Sequence, residues 1–206
     1  MSDVEEWDPA EWDPAFEAYE RGVELHRRGR HRAQAEAEYR RAIIGGYDEA
    51  SLNLGLLMAG TGRTDEEEAA YRTAMGCDDD EIASRAALLL GNLLDNLRGD
   101  PAGARTCFEV ARDRGIGATR LRARSHLAFS LALQGDREAA EKELAAFVDE
   151  RFPEDDGNEF HATLARTAIG VARSRAIRRL LRALRVSMYR VRRRVRALRV
   201  AWLGSP

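Results

Sequence analysis

Lysine is almost missing from this chain. Lys142 is the only one, and arginine supplies the rest of the 33 basic residues. A GC-rich genome produces the same bias, so the preference is not by itself a functional signal. Cysteine is scarce too. Cys77 and Cys107 stand far apart with no histidine beside either, which gives neither a disulfide framework nor a metal-ligand spacing. The 17 glycines and five prolines are no excess, which argues against a long disordered chain between the two ends. Long apolar runs are absent. The longest uncharged stretch, Ala50 to Gly62, is too short to cross a bilayer. The acidic start "MSDVEEWD" has none of the features of a signal or transit peptide, and a cytoplasmic location is expected.

The chemistry-bearing motifs are missing as well. There is no glycine loop to cradle phosphate, no nucleophile elbow and no histidine pair at metal spacing. His26 and His31 sit five apart around a turn, while His126 and His161 are isolated; each reads as solvated or packed. The run "CDDDE" (77–81) falls just before a helix, where acids favour the positive N-terminal end. The expectation is therefore no enzyme, no cofactor and no bound metal.

What the sequence does hold is a charge split and a repeat. At 206 residues, 44% apolar and 33% charged, it is one large domain or a smaller one with appendages. Residues 1–159 carry all 35 acidic residues and 20 of the 33 basic ones, an excess of 15 negative charges. Residues 160–206 carry the other 13 basic residues and no acid. Such asymmetry points to a basic tail that meets an anionic surface, or to two halves that meet each other.

Four segments share the same columns: 18–43, 51–75, 87–111 and 124–147. A small residue recurs at Gly22, Gly55, Gly91 and Ala128, and an apolar residue three further on at Leu25, Met58, Leu94 and Leu131. A turn glycine follows at Gly29, Gly62, Gly99 and Gly135. An aromatic or leucine comes next at Tyr39, Tyr71, Phe108 and Leu144, then Ala42, Ala74, Ala111 and Phe147. Each unit holds two apolar-periodic segments split by a turn, which predicts a helical hairpin of about 34 residues. One hairpin cannot bury its apolar face alone, so four must stack.

These columns resemble the tetratricopeptide repeat, over residues 15–152. "NLGLLMAGTGRTDEEEAAYRTAM" carries the resemblance best, followed by "LGNLLDNLRGDPAGARTCFEVA". The chain departs from the family pattern in places. Glu67 replaces a usual small residue, and extra residues are needed near Arg30–Ala33 and near Asp95–Arg98. The resemblance implies an all-α, right-handed superhelical solenoid of about four hairpins whose first helices line a groove for a peptide or helix. Carried over position by position, the groove would present Phe16, Tyr19 and Val23 from the first unit and Leu52, Asn53 and Leu56 from the second. The third would supply Arg85, Leu88, Asn92 and Asp95, and the fourth Arg122, Ser125, His126 and Phe129. The carboxylate clamp of one subfamily is incomplete here. Asn53 and Arg85 match it, but Tyr19, Val23 and Leu89 fill its other places. The function implied is a non-catalytic scaffold or adaptor for another protein.

Two ends flank the repeats. Residues 1–14 form an acidic tail with the tandem "EWDPAEWDPAF", in which Pro9 and Pro14 oppose a helix and Asp13-Pro14 suits a helix start. After a linker at 153–158, residues 159–206 form a basic helical region. There Ile177, Leu181, Leu184, Met188, Val191, Val195, Leu198 and Trp202 alternate at spacings of four and three, an apolar stripe among arginines that include Arg192, Arg193 and Arg194. A parallel homodimer would oppose arginine to arginine. The stripe is therefore expected to bury itself on an acidic surface of its own repeats or of a partner, or in an anionic membrane interface. Nucleic acid is the weaker alternative, because binding phosphate needs charge and not a full apolar face.

Overall fold

The structure is a computed structural model. It describes residues 13–29 and 31–150, and in the C-terminal region residues 163, 166, 167, 169, 170, 179, 181–191, 193 and 194. Residues 6–12 of the duplicated EWDPA motif, the 153–158 linker, and Ile177, Arg192, Val195, Leu198 and Trp202 lie outside the described residues.

Among the described residues the chain is all-helical, without a strand. The elements are α1 (Pro14–Arg28), α2 (Arg32–Ile44), α3 (Glu49–Met58), α4 (Thr64–Met75), α5 (Asp80–Leu93), a π-helical turn (Leu94–Arg98), α6 (Pro101–Arg114), α7 (Gly117–Gln134) and α8 (Arg137–Glu150). Each packs on the next, and the odd helices also touch in order, α1 on α3, α3 on α5, α5 on α7. The odd helices therefore share one face of the molecule.

The helix starts follow from local chemistry. Asp13, Asp79 and Asp100 cap α1, α5 and α6 by accepting the backbone N–H groups of Ala15, Ile82 and Gly103 at 2.8–2.9 Å. Pro14 and Pro101 fill first-turn positions whose N–H has no intrahelical acceptor. The aspartate run of 77–81 thus serves α5, and no group of acids, histidines or cysteines among the described residues could hold a metal ion.

The repeat columns become contacts. Gly22 lies against the Tyr39 ring, Gly55 against Tyr71 and Gly91 against Phe108. A β-carbon at Gly22 or Gly91 would stand 2.7 or 2.6 Å from ring carbons, which no real contact tolerates. In the first three hairpins the glycine of the first helix is thus the seat for the aromatic of the second. Tyr39, Tyr71 and Phe108 are fully buried. The main core runs from Leu52 through α5–α7 to Ala140, and α1–α3 enclose a smaller cluster around Tyr39.

Arginine ties hairpin to hairpin. Arg63, after the α3–α4 turn, donates to Glu36 at 2.6 and 2.9 Å. Arg98, at the end of the π-helical turn of the next hairpin, pairs with Glu68 at 2.7 Å and with Asp65. Arg112 and Arg124 share the buried Glu143 at 2.6 and 2.9 Å.

The extra residue expected near Asp95–Arg98 takes the form of the π-helical turn. A wider turn absorbs one residue without breaking the helix. Gly99 then ends it in the left-handed region, at φ 68°. The other expected insertion falls in the connection between α1 and α2, where Gly29 is also left-handed at φ 73°.

A candidate helix-binding face

At the N-terminal end of the odd-helix face, Tyr19 accepts a hydrogen bond from Asn53 Nδ2 at 3.1 Å and packs at a tilt on Tyr47, 4.5 Å between ring centroids. Burial, with Glu49 beside it, pushes the Tyr19 phenol up to about 12, so it stays protonated. Phe16 is exposed next to this cluster. Leu52 is wholly inside the core, Leu88 is also buried, and Leu56 packs partly buried against them. Asn92 turns inward on its own helix, donating to the Leu88 carbonyl at 2.9 Å. Arg85 pairs with Glu81 at 3.6 Å, and Arg122 is exposed. These residues do not converge on one spot.

Convergence occurs further along, where three positions read as groove-facing surround one residue of the tail. Residues 181–191 are helical and lie against the repeats. Arg185 Nη1 donates to Asp95 Oδ2 at 2.6 Å. Its Nη2 lies 3.0 Å from His126 Nδ1, and its guanidinium carbon sits 4.7 Å from the centroid of the Phe129 ring. Guanidinium only donates, so His126 must present a lone pair there: the imidazole is neutral, with its proton on Nε2. Phe108 holds the imidazole from the other side, stacked at 5.3 Å. Asp95 is 5% exposed and Arg185 8%. Burial lowers the basicity of the Arg185 guanidinium, and the Asp95 charge opposes that shift.

A second pair lies two turns on. Arg193 donates to Glu67, which is 1% exposed. Burial pushes the Glu67 carboxyl up, and the charge and hydrogen bond of Arg193 pull it back. Leu181 packs on the main core, as does Ile169. Tyr189 is half-buried between the two arginines and hydrogen-bonds Arg193. The contact row is therefore Leu181, Arg185, Tyr189 and Arg193, one residue every fourth.

This corrects the expected docking face. Of the described stripe residues only Leu181 packs inward. Leu184 is 51% exposed, Met188 36% and Val191 57%. At 100° per residue the stripe is centred about a quarter turn from Arg185. The reason is electrostatic. Turning the stripe inward would carry Arg185 and Arg193 away from Asp95 and Glu67, and the covering tail would then leave those carboxylates as buried, uncompensated charges. Arg194 is exposed.

Sequence reasoning reached Asp95, His126 and Phe129 through the repeat columns. It missed Glu67, Arg185 and Tyr189 as site residues. Both acids sit where the chain departs from the repeat pattern, Glu67 in place of a small residue and Asp95 in the inserted turn. Those departures were the available signal.

Comparison with protein-family models, with curated proteins and with solved structures gives no match to this chain.

Proposed function

We propose that this chain is a non-catalytic, helix-binding adaptor of the tetratricopeptide type. On this reading its hairpins form a right-handed superhelical stack, and the groove lined by its first helices is occupied by the chain's own basic C-terminal helix until a partner protein displaces it. The observation that carries the reading is Arg185, buried in a place built from Asp95, His126 and Phe129 on two separate elements. A buried guanidinium held by ionic, imidazole and ring contacts at once is a recognition site in its chemistry. The repeats supply the receptor and the tail its first ligand.

The test uses the full-length chain and its Arg185→Ala/Arg193→Ala variant, each mixed with a labelled peptide of residues 177–203. The variant, its own tail loosened, should bind the peptide, and the intact chain should bind it at least tenfold more weakly. If neither binds, the repeats are not a helix receptor.

A second reading rests on the uncovered side of the docked helix. Leu184, Met188 and Val191 are exposed there beside Arg190 and Arg194. That side suits the interface of an anionic bilayer. Flotation with vesicles containing acidic lipid, but not with neutral vesicles, would favour it. Among the described residues no helix is long and apolar enough to cross a membrane.

A further inference from the structure

The two acid sites define what kind of helix can sit on this face. We infer that it selects a partner helix carrying arginine, not lysine, at one position and a cation eight residues further on, with an apolar residue four before the arginine. This rests on the helix-receptor reading above and goes beyond it by naming the ligand's code.

Covering the two acid sites without pairing them is costly. Glu67 and Asp95 are 1% and 5% exposed with the arginines in place. Their carboxylates belong to the repeats, on α4 and on the π-helical turn, and remain there when the tail leaves. An occupant that covered these carboxylates without pairing them would bury uncompensated charges, which is strongly unfavourable. Any occupant that replaces the tail must therefore bring two cations to the same two places.

The receptor also fixes the spacing of the two cations. Arg185 and Arg193 are about 12 Å apart along a helix at about 1.5 Å per residue. The acids are fixed by packed helices, so that spacing is set by the receptor. Moving one arginine by a single position swings it by about 100° around the ligand helix and out of reach.

The first site also distinguishes one cation from another. The Arg185 guanidinium meets three different partners in three ways: a carboxylate, an imidazole nitrogen and an aromatic face. A planar fork donates at its edge while its face lies on a ring; an ammonium presents a point charge and cannot do both. His126 adds a requirement, since its lone pair asks for a donor. Leu181, four before Arg185 and packed on the main core, supplies the apolar anchor.

The experiment measures peptide binding to the full-length Arg185→Ala/Arg193→Ala chain by fluorescence anisotropy. The probes are the 177–203 peptide, its Arg185→Lys form, and a peptide in which residues 185 and 186 are exchanged. The exchange keeps composition and net charge while moving one guanidinium. Both altered peptides should bind about tenfold to a hundredfold more weakly. Adding Asp95→Asn to the receptor should remove the penalty of Arg185→Lys. Equal binding of all three peptides would overturn the code and leave a helix receptor without it, whereas no binding by any peptide would defeat the receptor reading itself. An independent check needs no loosened receptor. In the otherwise intact chain, Arg185→Lys should speed amide exchange across 181–191, and Arg190→Lys, at an exposed position, should not. Equal rates in the two variants would also overturn the inference.

Discussion

Arg185 and Asp95 depend on each other more than either contributes alone. Replacing Asp95 by Asn leaves the Arg185 charge buried without a counter-charge, with a neutral amide, His126 Nδ1 and the Phe129 ring beside it. Breaking one partner of a buried pair costs about 3–5 kcal/mol, but replacing both with apolar residues of similar volume is often neutral. Asp95→Asn should thus lower the urea midpoint markedly or free the tail, while Asp95→Leu with Arg185→Met should recover most of the loss. If the double variant is as unstable as the single one, the contact is not governed by charge.

A histidine sets the expected pH dependence. His26 lies 3.2 Å from the Tyr39 hydroxyl, and burial, with Arg32 nearby, lowers its proton affinity below the ordinary value of 6.5. Near pH 6 the unfolded chain therefore binds more protons at this site than the folded one. The stability His26 contributes is complete above about pH 6.5 and is lost as pH falls from there towards the folded value. Denaturation midpoints should drop between pH 7 and the folded value, and His26→Gln should flatten that part of the profile. An unchanged slope in the variant would assign the drop to other groups.

At the scale of elements, the glycine–aromatic seats decide how closely paired helices approach. Alanine in place of helical glycine ordinarily stabilises by about 0.5–1 kcal/mol. At Gly91 the sign should reverse, because the new methyl group meets the Phe108 ring. Overpacking of this kind costs about 1–3 kcal/mol. Gly170, helical with nothing within 4 Å, is the control, and Gly170→Ala should be neutral or stabilising. Chemical denaturation of the two variants checks the contrast.

At the scale of the whole molecule, the tail completes what the hairpins leave open. Four hairpins meet the minimum for a stack, so a chain ending at Pro153 should still unfold cooperatively. Without Ile169, Leu181 and the two arginines it should do so at a lower denaturant midpoint. The 177–203 peptide added in trans should raise that midpoint, in step with peptide concentration, as a ligand of the folded state does. A truncated chain that is molten would mean that the tail is part of the fold and not its occupant.

The amino-acid sequence alone determined the hairpin periods, the glycine seats, the aspartate and proline caps and the division of charge between repeats and tail. All of these are local or recur at a fixed spacing: a small residue at Gly55 and a ring at Tyr71 are legible because the same pair returns at Gly91 and Phe108. Which face of the tail turns inward was decided only by the tertiary structure. A hydropathy stripe reports how one helix divides its own side chains, and by that measure Leu184, Met188 and Val191 should be covered. They are exposed because Asp95 and Glu67, brought together from the π-helical turn and α4, are buried beside the docked helix. The demand of a buried carboxylate for a guanidinium arises only once the tail covers the packed helices, and no single segment carries it.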